Sequence, residues 1–328
     1  MSGWLEVRVP ISPRDDYFNR VHFIARSVRS LGDEYANVRV RVTVGADQDP
    51  DDLDRRMPWA SQAGIDWIWV DRNEFVSWKN TQHPYIATMM ERFKPPFSTK
   101  YVLMLDADVL VMRAFDEVVA KLTAKPGIAA VMAHVSPFGF AAGPEHVQWW
   151  RRMAEAANVR LPNFDNEHSG WGLMDSDPLR RFSPPYFNTG VVLASSEVLE
   201  NFYEAYMRCL FAVRGVLDSY FFEQIAMTLA LAQLGIDPIV LPPRYNFPNQ
   251  SEFDQAYADD LAQVHFLHFL RNDVIDRGAD FISLQKIAKL VSRKDLKGSN
   301  EALRRRMEEL LPLVQADRDE AQLDFSAS

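Results

Sequence analysis

Cysteine and positive charge are both scarce in this sequence. Cys209 is the only cysteine among 328 residues, so no intrachain disulfide can form, and a reducing compartment such as the cytoplasm is the expected location. Acidic residues outnumber lysine and arginine by 45 to 36, which gives a formal net charge of −9. Proteins that bind nucleic acid rely on a basic surface to meet phosphate, so we expect no nucleic-acid partner. A phosphate group bound by such a chain is expected to need a metal ion.

Long apolar runs are missing as well. No stretch reaches the roughly 18 apolar residues that span a bilayer, and the first residues lack the basic and apolar regions of a secretory signal. Hydrophobic residues make up 47% and charged residues 25%, as in ordinary globular proteins. We expect a folded, soluble chain, and its length fits either one large α/β domain or two small ones.

Short apolar runs alternate with helical patterns in the first third of the chain. The helical patterns cover Phe18 to Val28 and Tyr85 to Phe93, the second of them stopped by Pro95 and Pro96. The strand-like runs are Leu5 to Ile11, Val38 to Val44, Ile65 to Val70 and Tyr101 to Leu105. This order predicts an α/β fold with a mostly parallel, twisted sheet that gathers ligands at the carboxyl ends of its strands.

Less regular patterns follow. Residues 219 to 234 predict a long helix, whereas residues 134 to 185 are rich in Pro, Gly, Asn and Trp and give no clear assignment. Beyond residue 280 a basic stretch from Lys286 to Arg306 precedes an acidic and polar tail, so we divide the chain into a catalytic domain at 1–280 and a helical extension at 281–328. The basic stretch fits a solvated helix face or a peripheral contact with an anionic membrane. Later strands are predicted at Ile128 to Met132, Phe187 to Ala194, Ile239 to Leu241 and Val264 to Leu270.

Two carboxylates stand one residue apart at the end of a predicted apolar strand. Asp106 and Asp108 would repel each other there unless a cation lay between them, and oxygen ligands of this kind suit a hard divalent ion that also binds diphosphate. An Asp-x-Asp tripeptide is common in surface loops. The apolar residues on both sides of this one favour a metal site.

Two motifs resemble those of the GT-A glycosyltransferases, especially the family of glycogenin and the lipopolysaccharide galactosyltransferases. They are LMLDADVLV at Leu103 to Val111 and YFNTGVVL at Tyr186 to Leu193. The resemblance covers about residues 5 to 271 and implies a GT-A fold and a Mn²⁺ or Mg²⁺ ion at Asp106 and Asp108. It also implies a nucleoside diphosphate sugar as donor, with UDP expected as the nucleotide. A hydroxyl group of a glycan or small molecule is the expected acceptor, and transfer is expected to retain the anomeric configuration.

The family completes its metal site with a late histidine, and this chain offers two. His265 and His268 are three residues apart on a predicted strand, so they face opposite sides and one metal ion takes only one of them. His268 lies nearer the carboxyl end of the strand and is our predicted ligand. For His265 we favour a hydrogen-bonded role in the core.

The resemblance also assigns roles around the sugar. Asn188 is expected to bond sugar hydroxyls, and Gly190 to let substrate or neighbouring backbone approach closely. Glu223 and Gln224 resemble the family's acidic residue and glutamine near the reacting sugar and acceptor. Glu223 then binds sugar hydroxyls or acts as a base, although a glutamate in the first turn of a helix is also favoured by the helix dipole alone.

The donor's nucleoside and diphosphate are assigned from strand topology. The loop after the first strand, including Pro10, Ile11 and Ser12, is expected to hold the base and ribose, and Asp71 to bond the base edge. The family's glycine and lysine after the late histidine are missing here, and Arg271 is our candidate for the diphosphate contact. The family's donor-binding arginine has two candidates, Arg92 and Lys94, between which spacing does not decide.

Competing interpretations remain. Aspartate-nucleophile phosphatases also begin with an apolar strand and Asp-x-Asp, but near the start of their domain, whereas this motif lies a hundred residues in. Sugar-nucleotide nucleotidyltransferases have a glycine-rich first loop, which Pro10 to Asp16 does not match. A sugar-nucleotide or glycan-binding protein without turnover is the third alternative. Three tryptophans fit either the core or a platform for sugar rings, namely Trp149, Trp150 and Trp171.

Overall fold

The computed structural model describes residues 3–46, 52–71, 86–138, 145–171, 173, 180–217 and 219–327. The strands are β1 (Leu5–Ile11), β2 (Arg39–Ala46), β3 (Ile65–Asp71), β4 (Tyr101–Leu105), β5 (Val109–Val111), β6 (Ile128–Met132), β7 (Asn166–Glu167), β8 (Phe182–Ser183), β9 (Phe187–Ser195), β10 (Ile239–Leu241), β11 (Phe247–Pro248) and β12 (Phe266–His268). The helices are α1 (Asp15–Arg29), α2 (Leu53–Arg56), α3 (Ala60–Ala63), α4 (Ile86–Met90), α5 (Asp116–Ala124), α6 (His146–Ala156), α7 (Ser196–Arg214), α8 (Phe222–Leu234), α9 (Ser251–Ala256), α10 (Ala258–Ala262), α11 (Leu284–Ser292) and α12 (Gly298–Ala327). Short 3₁₀ turns occupy Glu91–Phe93 and Pro243–Tyr245.

The central sheet of the described residues has seven strands in the order β10-β6-β9-β4-β1-β2-β3. The adjacent strands β4, β1, β2 and β3 run parallel to one another, as do β10 and β6. Strand β9 runs antiparallel to both β4 and β6. The prediction of a mostly parallel α/β sheet is therefore confirmed, with β9 as the reversed strand.

Both faces of β4 are covered, which explains why this strand reads as an unbroken apolar run. In β4, Tyr101, Leu103 and Leu105 face one core cluster, which they share with α1. Val102 and Met104 face the second cluster, which contains residues of α7 and α8. Because successive side chains in a strand point to opposite faces, the two clusters together bury every residue of β4.

Some predicted boundaries shift. The last predicted strand, Val264 to Leu270, is paired only over Phe266–His268, because Leu270 N turns back to bond His268 O at 3.0 Å. The predicted helix at 219–234 begins at Phe222, and the helix predicted from Tyr85 is described from Ile86, since Tyr85 lies outside the described residues. The unassigned stretch 134–185 contains α6 and the short pair β7–β8, among other residues.

A small second sheet carries the late histidine to the Asp-x-Asp loop. Strand β12 pairs antiparallel with β5, with His268 opposite Val109, and parallel with β11. Phe269 N donates to Asp108 O at 2.9 Å, which joins the end of β12 to the loop itself.

The last two helices pack against the body through a third core cluster. Leu303 and Met307 of α12 are buried in it beside Phe23 of α1 and Leu110 of β5. A buried carboxylate of α12, Asp317, accepts hydrogen bonds from α1 at its inner face. In the described part of the chain, no helix is both long and apolar enough to cross a bilayer.

Candidate active site

Asp106 and Asp108 occupy the tight connection between β4 and β5. Asp106 N donates to Gly190 O on β9 at 2.9 Å, and Val109 N donates back to Asp106 O at 3.2 Å, so the backbone is fixed on both sides. The Asp106 side chain is 21% exposed and that of Asp108 is 12% exposed. Two apolar strands thus hold two carboxylates at the carboxyl end of β4, largely shielded from water.

His268 completes this group. Its Nε2 atom lies 3.2 Å from Asp108 Oδ1 and 3.9 Å from Asp106 Oδ2. One ligand atom from each of Asp106, Asp108 and His268 lies within 4.8 Å of the other two. Burial alone would lower the pKa of His268, but the adjacent carboxylates, Asp108 above all, outweigh it and raise that pKa.

Asn246 and Asn188 fix the orientation of the His268 ring through hydrogen bonds on the Nδ1 side. His268 Nδ1 lies 3.0 Å from Asn246 Oδ1, and Asn246 Nδ2 donates to Asn188 Oδ1 at 3.0 Å. Asn188 Oδ1 also accepts from Gly190 N at 2.9 Å. A histidine that donates through Nδ1 keeps the lone pair on Nε2, so this chain of amides turns the basic nitrogen toward the carboxylates.

Gly190 provides the space for the ring. A Cβ atom built at this position would lie 2.3 Å from His268 Cε1 and 2.7 Å from Nδ1. The sequence suggested a close approach by substrate or neighbouring backbone, whereas the group that approaches Gly190 in the structure is the ring of His268.

Arg92 connects the carboxylates to α8. Its fully buried guanidinium donates through Nη1 to Asp106 Oδ1 at 2.7 Å and through Nη2 to Glu223 at 3.3 Å. Glu223 Oε1 also accepts from Thr189 Oγ1 at 3.0 Å. Burial raises the pKa of Glu223, although the charge of Arg92 opposes that shift.

Asp108 forms hydrogen bonds with two side chains. Besides His268 it binds Arg277, whose Nη1 atom donates to Asp108 Oδ2. Burial alone would raise the pKa of Asp108, but His268, Arg277 and Arg20 together lower it below its usual range. The carboxylate is ionised, as a metal ligand or arginine partner must be.

A cavity of about 480 Å³ opens over the carboxylates. The predicted nucleoside residues reach it, although Pro10 and Ile11 end β1 and only Ser12 lies in the loop that follows. Arg277 and Tyr220 lie on its wall as well. Its lining comprises Pro10, Ile11, Ser12, Arg14, Asp16, Tyr17, Arg20, Thr88, Met89, Asp106, Ala107, Asp108, Tyr220, Asn272, Arg277 and Gly278. The sequence-based nucleoside loop and the Asp-x-Asp motif thus share one space.

Other predicted residues lie apart from this cavity. Asp71 ends the edge strand β3, and Arg271 bonds Gln250 Oε1 through Nη2 at 3.1 Å; neither residue lines the cavity. Gln224 is buried beside Glu223 in the first turn of α8. His265 points away, with Nδ1 2.6 Å from Ala114 O and its ring stacked on Tyr245.

The three tryptophans have different surroundings. Trp150 is fully buried in the second core cluster, with its ring edge-on to Tyr186. Trp149 is half-buried and stacks on Phe138. Trp171 is half-buried with the guanidinium of Arg181 over its ring. Trp150 is therefore a core residue and cannot form a surface for sugar rings.

Sequence reasoning missed two side chains of the site and left a third undecided. Asn246, which bonds His268, and Arg277, which bonds Asp108, had no role assigned, and Arg92 was one of two candidates for a donor-binding residue. Asn246 is a polar residue between aromatic Tyr245 and Phe247, and it is 1% exposed. A polar side chain amid buried aromatics is a usable signal, whereas the loop that carries Arg277 has no periodicity to mark it.

The donor set suits a divalent cation. Two carboxylate oxygens and one imidazole nitrogen are ligands that Mn²⁺ accepts, and a triad of this kind leaves room for substrate oxygens. The Asn246 bond to His268 supplies the outer partner that histidine ligands usually have.

Comparisons with known proteins identify a family and a fold. The family model described as the Rhodobacterales glycosyltransferase domain matches residues 9–235. The fold is similar to that of galactosyltransferase LgtC in complex with donor and acceptor sugar analogues, at a TM-score of 0.51 and 16% identity over 81% of this chain and 87% of LgtC. An active-site mutant of LgtC, a glutamine replaced by glutamate, gives the same values.

A third similar structure is that of the bifunctional glycosyltransferase WbbM in its apo form. It matches at a TM-score of 0.51 and 14% identity, over 86% of this chain and 50% of WbbM. Comparison with curated protein sequences gives no match. At these identities the structural likeness establishes the fold, which is the GT-A fold that the two motifs implied.

Proposed function

The chain belongs to the Rhodobacterales glycosyltransferase domain family and is a glycosyltransferase of the GT-A fold, and we propose that it is metal-dependent and uses a UDP-sugar. The acceptor in this proposal is a hydroxyl group of a glycan or small molecule, and the anomeric configuration is retained. The observation that carries the proposal is the convergence of ligand atoms from Asp106, Asp108 and His268. They lie beside a cavity that the predicted nucleoside residues Pro10, Ile11 and Ser12 also line.

In the proposed reaction the bond between the anomeric carbon and the diphosphate oxygen breaks, with its electron pair going to that oxygen. The acceptor oxygen bonds to the anomeric carbon and passes its proton to the departing diphosphate. Asp106, Asp108 and His268 would hold a Mn²⁺ or Mg²⁺ ion, which would supply positive charge to the departing diphosphate. Arg277 supplies a second positive charge, because its guanidinium lies on the same cavity wall and matches phosphate geometry. Arg277 replaces Arg271 as our candidate for the diphosphate contact.

We assign Arg92 and Glu223 to the sugar side of the site. Arg92 is held between Asp106 and Glu223, so Glu223 fixes the guanidinium and the Asp-x-Asp loop relative to α8. Gln224 stays the proposed contact of the reacting sugar. Asn188 uses its carbonyl oxygen for Gly190 and Asn246, which leaves its amide nitrogen as a donor to a sugar hydroxyl.

A donor screen tests the function. Thermal shift with a panel of nucleotide sugars, with and without Mn²⁺, is expected to show a metal-dependent rise in Tm for UDP-sugars, because a ligand stabilises the state it binds. Mass spectrometry of the mixture then follows UDP release and transfer to an acceptor panel. Asp108→Asn should abolish turnover, and Asp237→Asn, at an exposed carboxylate, should leave it unchanged.

The same mixtures separate the alternatives. Formation of pyrophosphate from UTP and a sugar phosphate would identify a nucleotidyltransferase. Binding of UDP-sugar without any release of UDP would identify a binding protein. Unchanged turnover in Asp108→Asn would remove the metal site from the mechanism.

The location in the cytoplasm, with or without a peripheral membrane contact, also stays a proposal. Arg304, Arg305 and Arg306 are engaged by glutamates of α12, so their charges are neutralised locally. The lysines of the basic stretch are exposed and would carry any attraction to an anionic surface; they are Lys286, Lys289, Lys294 and Lys297. Flotation with anionic and neutral vesicles checks this contact.

A further inference from the structure

Asp108 presents its two oxygens to two different partners. Oδ1 lies 3.2 Å from His268 Nε2, and Oδ2 accepts from Arg277 Nη1. In Asp106, by contrast, Oδ1 is taken by the fully buried Arg92, and Oδ2 faces His268. Arg277 is therefore the partner on the cavity side, and its side chain is 30% exposed.

The turn that carries Arg277 is fixed by its own hydrogen bonds. Asp276 Oδ1 accepts from Gly278 N and Ala279 N, each at 2.9 Å. Asn272 Oδ1 accepts from Arg277 N at 3.3 Å and from Arg277 Nε at 2.9 Å. A change of partner by Arg277 can therefore leave the turn in place, but the guanidinium must move within the cavity and give up the bond from Nε to Asn272 Oδ1.

A guanidinium and a divalent cation are competitors for one carboxylate. A metal ion bound to Asp108 while Arg277 stays in place would lie within a few ångströms of a like charge, and that repulsion is strong in a shielded site. A diphosphate offers Arg277 a better partner, since its oxygens can accept two parallel N–H bonds.

We propose that Arg277 exchanges the Asp108 carboxylate for the donor's diphosphate and so couples metal binding to nucleotide binding. This inference rests on the proposed function. In the free protein Arg277 holds down the metal affinity of Asp108. The arriving diphosphate takes over the guanidinium and frees the carboxylate oxygen for the cation. Metal and nucleotide then strengthen each other's binding by the same factor, as linkage requires.

Manganese binding can be measured without turnover. Free Mn²⁺ is titrated by its electron paramagnetic resonance signal against wild type and Arg277→Gln, with and without saturating UDP. For Mn²⁺ alone, Arg277→Gln is expected to bind about tenfold more tightly than wild type, within the usual range of coupling effects. Calorimetry with UDP and Mn²⁺ should show weaker UDP binding in the variant. The factor by which UDP increases the affinity for Mn²⁺ should also be smaller in the variant than in wild type.

Arg14→Gln is the matched control. Arg14 lines the same cavity, and its side chain is 61% exposed, but it bonds Asp16 instead of Asp108. Loss of its charge should change the affinity for Mn²⁺ alone much less than Arg277→Gln does. A far-ultraviolet spectrum and a melting curve without metal confirm that both variants are folded.

Two results would overturn the proposal, and they differ. If Arg277→Gln binds Mn²⁺ alone no more tightly than wild type, or no more tightly than Arg14→Gln does, Arg277 does not compete with the metal, while the metal site itself stands. If neither wild type nor Arg277→Gln binds Mn²⁺ with UDP present, the metal-dependent function fails together with the exchange.

Discussion

The backbone of Gly190 and the ring of His268 are in contact at the centre of the site. A Cβ atom at Gly190 would lie 2.3 Å from His268 Cε1, so any larger residue must displace the ring or β9. The ring in turn reaches Asn246 through Nδ1 and Asp108 through Nε2. At the scale of single residues, the glycine of the FNTG motif therefore determines whether the imidazole can reach the carboxylates.

Gly190→Ala is expected to weaken Mn²⁺ binding in the presence of UDP by about tenfold or more, because a small misplacement of a ligand loses much of its affinity. Calorimetry measures the change. Gly127→Ala is the control, since a Cβ there would have its nearest neighbour, Lys125 O, at 3.8 Å. Equal Mn²⁺ affinity in the two variants would contradict the role of Gly190.

His134 is expected to make stability depend on pH. Burial and the neighbouring charges of His268, Arg271 and His168 lower its pKa to about 3. The unfolded chain, with a histidine pKa of about 6.5, then binds more protons, so stability is lost as pH falls below about 6.5. His134→Gln should lose about 1–2 kcal/mol less stability than wild type between pH 7 and pH 5 in urea unfolding. An identical loss in both proteins would show that His134 titrates normally.

Some residues of the site could be predicted from the sequence and others could not. Asp106 and Asp108 were predictable because an apolar strand on either side fixes their position. Arg92 was ambiguous, because the 3₁₀ turn at Glu91–Phe93 breaks the helical spacing that would have indicated its direction. Arg277 and Arg271 are both arginines in an aperiodic segment, and only the fold shows that Arg277 is the one that reaches Asp108.

At the scale of elements, α12 is joined to α1 by a buried ionic group. Asp317, 2% exposed, accepts from His22 Nε2 at 2.7 Å and from Arg26 Nε at 2.6 Å. The His22 ring also stacks on Trp59, with ring centroids 3.9 Å apart. Helix α1 also lines the cavity, through Asp16, Tyr17 and Arg20. The bonds from Asp317 to α1 therefore hold the helix that forms one wall of the cavity.

Asp317→Ala should destabilise the fold by about 3–5 kcal/mol, because it leaves the buried partners of the carboxylate uncompensated. Asp319→Ala, at an exposed position two residues further along the same helix, should change the free energy of unfolding by no more than about 0.5 kcal/mol. Urea unfolding of the two variants gives the comparison. A similar, small effect in both would mean that the α1–α12 contact contributes little.

The elements show why topology was only partly predictable. Strand β4 was found because a strand buried on both faces is a short apolar run between polar loops, whereas β1 and β2 were found from apolar residues at alternate positions. The reversed direction of β9 could not be found, because a buried strand has the same pattern whichever way it runs. The short β5 was read as a continuation of the motif, although it belongs to the second sheet with β12.

At the scale of the whole molecule, the residues after 280 pack into the body. The third core cluster takes residues from α1, β5, β12, α11 and α12. We therefore propose that the division at residue 280 marks a change in composition, and that 1–280 and 281–328 fold as one unit. The predicted GT-A domain then needs its extension.

A chain that ends at Asp280 tests this. It loses the buried side chains Leu303, Met307 and Leu310, among others, and each is worth about 1.5–3 kcal/mol of burial. The sum is comparable with the whole stability of a typical protein, so no cooperative melting transition is expected. A truncated chain that melts cooperatively and binds UDP as wild type does would establish an independent domain.

The central claim is that Asp106, Asp108 and His268 together hold a cation against the donor's diphosphate. The most direct measurement is an anomalous difference map, recorded near the manganese absorption edge, from a crystal grown with Mn²⁺ and UDP. One peak is expected about 2.0–2.3 Å from Asp106 Oδ2, an oxygen of Asp108 and His268 Nε2, with diphosphate oxygens on its open side. A map with UDP bound and no peak there, the carboxylates still bonded only to Arg92 and Arg277, would contradict the claim.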